Sequence, residues 1–167
     1  MNKSIALFVA AGLALTNVAK ADDRPPSTAE RASAKKTSDL MLATLVAALL
    51  QEFAETTPEN APEGKKSISL IFNDKNKDMR LVGTKDPLRA NNVPADSFEA
   101  IALANAMQGQ NYDNIQRIDD KWYYRRSVAL SNFHTACVIC HTNFGPMNAQ
   151  QFVGALMVRV PMSSRQD

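Results

Sequence analysis

Residues 115–130 read IQRIDDKWYYRRSVAL, and this stretch decides the class of fold. Two runs rich in aromatic and β-branched residues, Ile115–Ile118 and Trp122–Leu130, flank the polar tripeptide Asp119-Asp120-Lys121. Runs of this composition favour strands, and a short polar break between them favours a tight antiparallel turn. The sequence therefore predicts a β-hairpin here.

Two more strands are predicted upstream of the hairpin and one downstream. Ile68, Leu70 and Phe72 occupy alternate positions, which is typical of a strand, and Met79–Val82 is its predicted partner. Near the end of the chain, Phe152–Val160 is a further apolar run that we expect to stop at Pro161.

The longest predicted helix begins near Ser27. Ser27 and Glu30 have the spacing of a capping box, in which each residue's side chain satisfies a backbone N–H of the other. Apolar residues then recur with helical periodicity before the expected end at Thr57-Pro58. These residues are Leu42, Leu45, Val46, Leu49, Leu50 and Phe53.

A shorter helix is expected to begin at Asp96 or Ser97 and to stop at Gly109. Its predicted inward residues are Phe98, Ile101 and Met107. Because helices and antiparallel strands are mixed without regular βαβ alternation, the predicted fold class is α+β.

The N-terminus has the pattern of a secretory signal. A basic start with Lys3 precedes the apolar run Ile5–Leu15 and the small residues around Lys20, with cleavage expected after Ala21. The mature protein would then be one domain, residues 22–167, without a membrane span. Two of the 19 basic residues leave with the signal, so 17 remain against 17 acidic residues, and this balance gives no indication of nucleic-acid binding.

The two cysteines of the chain lie in the sequence Cys137-Val138-Ile139-Cys140-His141. The pattern C-x-x-C-H is typical of covalent attachment of a c-type haem. Cysteines three residues apart on a helical turn share one face, so both sulfurs can reach the two vinyl groups of one porphyrin. We therefore expect one haem c, bound through Cys137 and Cys140, with His141 as the proximal iron ligand.

Two haem-free alternatives remain open for this motif. Cys137 and Cys140 could form a disulfide or a redox dithiol, although redox pairs usually follow an early strand of a βαβ unit. Together with His134 and His141, the two cysteines also supply four potential zinc ligands, although structural zinc sites usually draw on two separated knuckles.

The chain resembles a family of periplasmic single-haem domains of unknown function. The resemblance rests on residues 80–94, RLVGTKDPLRANNVP, followed by Phe98-Glu99, on the CxxCH motif, and on residues 154–161, GALMVRVP. That family includes cyanobacterial soluble c-type cytochromes and haem-containing sensor regions. The resemblance implies a PAS-like antiparallel sheet that cradles the haem.

The resemblance also implies where this chain differs on the distal side of the haem. The characterised family member uses a cysteine on an early strand as its second axial ligand, whereas residues 68–72 here contain none. Ile71 or Phe72 would then cover the distal side. Other candidate donors for the sixth position are His134, Met79, Met107, Met147 and Met157.

These features favour a periplasmic monohaem cytochrome acting in electron transfer or in redox or gas sensing. Its expected partners are a redox or signalling protein and, for gas sensing, a small diatomic ligand. No catalytic constellation stands out, since His134 is the only histidine left for a distal acid or base, so we do not expect an enzyme.

Overall fold

The computed structural model describes residues 24–57, 59–61, 63, 68, 70–72, 78–83, 92–141 and 144–162, with only the backbone described at residues 139, 140 and 149. The predicted signal segment, residues 1–21, lies outside these ranges. The described elements are α1 (Thr28–Ala54), β1 (Met79–Gly83), α2 (Ser97–Ala106), β2 (Tyr112–Ile118), β3 (Lys121–Asn132), α3 (Cys137–Cys140) and β4 (Asn148–Met162). The class is α+β, as predicted.

The four strands form one antiparallel sheet in the order β1-β4-β3-β2. The predicted hairpin is confirmed as β2 and β3, with Ile118 opposite Lys121. Asp119 and Asp120 make the two-residue turn, and both have positive φ angles, 48° and 61°. This backbone matches the twist of the flanking strands, and aspartate is among the residues that tolerate it.

The final strand is longer than predicted, because β4 continues through Pro161 to Met162. The N–H of Arg159 donates towards β1, to the carbonyl of Asp78 (2.8 Å). Two residues later, the Pro161 nitrogen faces the same side but lies past the first residue of β1. A missing N–H therefore costs little there, which is why proline does not end the strand.

The prediction of a strand at residues 68–72 is wrong. Phe72 N–H donates to the Ile68 carbonyl (3.0 Å), which is a helical hydrogen bond, and β1 pairs with β4 instead. Ile68, Ile71 and Phe72 pack on the core, whereas Leu70 is 78% exposed. The buried residues thus follow the helical spacing i, i+3, i+4, which the alternation of apolar residues in this stretch had concealed.

The sheet lies between the two longer helices. The capping box at the start of α1 is confirmed by reciprocal hydrogen bonds between Ser27 and Glu30. On this face Leu42, Leu45 and Leu49 pack with Phe72, Leu156 and Val158, and half-buried Val46 and Phe53 join them. Leu50, predicted to share the apolar stripe, is exposed. By length and composition α1 could also cross a membrane, as the core helices of many globular proteins could.

Helix α2 covers the opposite face of the sheet. It begins after Asp96, which accepts the N–H of Glu99, and Gly109 follows its end with φ of 74°. Its buried apolar residues are Phe98, Ala102 and Ala106, which pack on Val82, Ala155 and Met157. The predicted inward positions Ile101 and Met107 are wrong, since these side chains are 46% and 41% exposed. The small alanines allow α2 to lie close to the sheet, and the larger side chains face outward.

A buried carboxylate ties α2 to two strands. The Glu99 side chain is 4% exposed, and its Oε1 lies 2.8 Å from Arg80 Nε of β1 and 3.6 Å from Arg125 Nη2 of β3. Its Oε2 accepts the backbone N–H of Ala95 (2.8 Å). Buried charges need partners of this kind to offset the loss of hydration. Glu99 therefore connects three elements through one side chain.

Arg125 completes this network. Its Nη1 lies 2.7 Å from Asp96 Oδ2 and 2.8 Å from Gln116 Oε1, and its guanidinium lies 4.2 Å from the centre of the Phe98 ring. Burial raises the pKa of Asp96, but hydrogen bonds from Arg125 and the Glu99 N–H, with the charges of Arg125 and Arg80, outweigh it and lower the pKa. The ionised form of Asp96 is thus the one that the fold stabilises.

This shift predicts a loss of stability in acid. A carboxyl whose folded-state pKa is lowered adds stability above its unfolded pKa, and that contribution is lost as the pH falls below about 5. We expect Asp96→Asn to be less stable than wild type at pH 7 and to lose less stability on acidification. Denaturant midpoints from pH 7 to pH 3 measure this. If the denaturant midpoints of the two proteins fell equally steeply with pH, this prediction would be wrong.

Candidate functional site

The predicted motif lies in the loop that joins β3 to β4. Buried Asn132 at the end of β3 pairs with Asn148 at the start of β4. The Asn132 Nδ2 donates to the Pro146 carbonyl and to Gln151 Oε1, both at 3.1 Å. These hydrogen bonds close the base of the loop, so the motif is carried on a loop whose two ends are fixed to the sheet.

The cysteines lie on one helical turn, as predicted. The N–H of Cys137 donates to the His134 carbonyl (3.0 Å), and the N–H of His141 donates to the Cys137 carbonyl (2.9 Å). Helix α3 therefore places positions 137 and 140 on the same face, one turn apart. At His141 the backbone leaves the helical region, with φ of −119° and ψ of 71°. The chain thus turns away directly after the second cysteine.

The ring of His134 is held by two contacts. Its Nδ1 accepts the N–H of Ala136 (3.1 Å), and its ring stacks on Phe53 at the end of α1, with centroids 6.2 Å apart. A nitrogen that accepts a hydrogen bond carries no proton, so the neutral imidazole has its proton on Nε2. Metals bind the unprotonated nitrogen, which here is already engaged. This arrangement disfavours His134 as a metal ligand.

The ring of His141 has a different environment. It is half-buried and lies nearly parallel to the Phe144 ring, with centroids 4.6 Å apart and planes inclined by 7°. Phe144 N–H donates to the His141 carbonyl (3.0 Å), which keeps the backbones of the two residues close together. The stack covers one face of the imidazole and leaves its ring edge, where the nitrogens lie, outside the contact.

The predicted distal residues and the motif border the same apolar cluster. Ile71 and Phe72 belong to the α1-face core, and Phe133, next to His134, packs against that core. Phe53 joins them, with its ring 5.9 Å from Phe133 in an edge-to-face arrangement. The helical hydrogen bond from Phe72 to Ile68 thus corrects the predicted strand, and both Ile71 and Phe72 still pack in the core that Phe133 borders.

The methionines considered for the sixth position are widely separated. Met157 packs with Phe98 on the α2 face, and Met107 is exposed at the end of α2. Met79 lies on the α1 face, but it pairs with Val158, ten residues along β4 from Asn148. Met147 is in the motif loop and is exposed. These placements single out none of the four as an axial donor.

Among the residues that the structure describes, no three His, Cys, Asp or Glu side chains are grouped as a metal site would require. The side chain of Cys140 is not among them, so the four-ligand zinc arrangement stays a prediction. The sequence did not indicate that Asn132, Phe53 and Phe144 lie close to the motif. Of these three residues, only Phe144 could have been suspected, because it lies three residues after His141.

No protein-family model matches the chain, and no curated protein matches it. The family resemblance drawn from residues 80–94, CxxCH and residues 154–161 therefore stays a prediction.

Proposed function

We propose that this protein is an exported, periplasmic monohaem c-type cytochrome that acts in electron transfer or in redox or gas sensing. The observation that supports this proposal best is the CxxCH sequence, whose cysteines lie on one helical turn. The N–H of His141 donates to the Cys137 carbonyl at the end of that turn. Cys137 and Cys140 would bind the haem covalently, and His141 would be the proximal ligand. If the chain belongs to the family that it resembles, its four-stranded sheet corresponds to the PAS-like sheet of that family.

The donor set fits this cofactor. Two thiols three residues apart suit the two porphyrin vinyl groups, and an imidazole directly after them suits the iron. The apolar cluster beside the motif, formed by Phe53, Phe133 and Phe72, suits a large flat cofactor that must be shielded from water. When bound, the haem would supply a one-electron couple and an iron that takes up small ligands.

The two histidines allow a direct test of the iron ligand. We expect His141→Ala to change the ferric optical spectrum strongly, because the iron loses its strongest protein donor. We expect His134→Ala to change it much less, because the Nδ1 of His134 is engaged by Ala136. Equal spectral changes in the two variants would contradict the assignment of His141.

The sixth position separates electron transfer from gas sensing. Ile71 and Phe72 cannot donate to iron, and none of the candidate methionines is placed as an obvious axial donor. We therefore expect ferrous protein to be substantially high-spin and to bind carbon monoxide without displacing a strong ligand.

The experiment is an optical and resonance Raman series on purified protein, oxidised, reduced, and reduced with carbon monoxide. A high-spin ferrous signal that responds to carbon monoxide supports a gas-binding role. A low-spin His/Met or bis-His signal that does not respond would assign the protein to electron transfer. Protein without any haem spectrum would contradict the proposed function itself.

A further inference from the structure

We infer that Phe144 is a positioning residue that sets the plane of the His141 imidazole relative to the haem. This inference rests on the proposed function and deepens it. Its basis is the parallel contact between the two rings, 4.6 Å between centroids with an angle of 7°. A flat contact of this kind restricts rotation of the imidazole about its Cβ–Cγ bond. Such a rotation would push the edge of the imidazole into the face of the phenyl ring.

The position of Phe144 is itself fixed by the backbone. Its N–H closes the turn to His141, and Gly145 then takes a φ of 69°, which favours glycine. The next residue, Pro146, offers its carbonyl to buried Asn132. Hydrogen bonds therefore hold the backbone on both sides of Phe144.

The contact with Phe144 does not itself block metal binding. Phe144 covers a face of the ring, whereas metal binding uses a nitrogen at the ring edge. Contacts that orient a metal-bound histidine usually come from hydrogen bonds to its second nitrogen. In this chain the Phe144 ring would contribute to that orienting role. When haem is bound, the orientation of its imidazole ligand would influence the electronic structure of the iron.

A matched control lies on the opposite face of the sheet. Phe98 is buried in the core between α2 and the sheet, on the face opposite the α1-face core. Phe98→Leu makes the same substitution as Phe144→Leu, but it removes no contact to the proposed iron ligand.

The test is electron paramagnetic resonance of the ferric holoprotein with cyanide bound, in wild type and four variants. The cyanide adduct gives every protein the same sixth ligand, so differences in the g values report the proximal imidazole. We expect Phe144→Leu and Phe144→Met to shift the g values, Phe144→Tyr to retain the wild-type values, and Phe98→Leu to leave them unchanged. The methionine variant preserves the side-chain length better and serves if the leucine variant folds poorly.

The covalent haem content of each protein, measured as the pyridine haemochrome, separates the two claims. Wild type without covalent haem would overturn the proposed function. Wild type with covalent haem, and g values that are the same in Phe144→Leu and Phe144→Met, would overturn only the positioning role. Equal shifts in Phe98→Leu and Phe144→Leu would also overturn it, because they would indicate a general loosening of the fold.

Discussion

Replacing both Cys137 and Cys140 with alanine is expected to abolish covalent haem in protein exported alongside the cytochrome c maturation machinery. Each thioether bond needs a cysteine sulfur, and the chain contains only these two cysteines. Because the chain has no third cysteine, no other side chain can supply the missing thioether bonds. Haem that stays with the polypeptide after denaturation and acid–acetone extraction is the quantity to measure.

The single variants and a histidine control sharpen this experiment. Cys137→Ala and Cys140→Ala each remove one thioether and should shift the haemochrome band, whereas His134→Ala should retain the wild-type haem content. Haem that remains covalent in the double variant would contradict the assignment. Wild-type protein that matures without haem would favour the thiol, disulfide or zinc alternatives for Cys137 and Cys140.

Glu99→Ala is expected to lower the free energy of unfolding by about 3–5 kcal/mol, the cost typical of breaking a buried ion pair. Glu99 is buried between Arg80 and Arg125, with Oε1 2.8 Å from Arg80 Nε. Its removal leaves Arg80 with a reduced set of partners in a mostly buried position, and it also takes away the acceptor for Ala95 N–H. Chemical denaturation at pH 7 measures the change.

Two further variants identify the cause of that loss. Glu99→Gln keeps the shape and an acceptor for Ala95, so it should be intermediate if charge matters. Lys35→Ala removes one partner of an exposed pair with Asp39 and should cost less than about 0.5 kcal/mol. A loss in Glu99→Ala as small as that in Lys35→Ala would show that the network does not stabilise the fold.

The sequence predicted the fold best where local signals and tertiary packing agree. The hairpin turn at Asp119-Asp120 and the capping box at Ser27 depend on residues a few positions apart, and both are confirmed. The apolar residues between positions 68 and 72 fit both the two-residue period of a strand and the spacing of a helix. Their packing on the core that α1 and β4 form distinguishes the two. Helix α2 buries the face with its small alanines, because it lies close to the sheet. The positions of the larger apolar residues in the sequence did not indicate that face.

The candidate site divides in the same way. The assignment of the two cysteines and the following histidine rests on a motif of five consecutive residues, so it needs no tertiary information, and it stays a prediction. The hydrogen bonds by which Asn132 closes the base of the loop could not be predicted, since their acceptors are carbonyls 13 and 14 residues away along the chain. The Nδ1 contact that disfavours His134 as a ligand is also a feature of three-dimensional structure.

The central claim is tested most directly by the intact mass of the protein purified from the periplasm after export with the maturation machinery. The account predicts a polypeptide that begins at Asp22 and carries the mass of one haem, retained under denaturing conditions. A mass equal to the polypeptide alone, from cells in which a known c-type cytochrome matures normally, would contradict it.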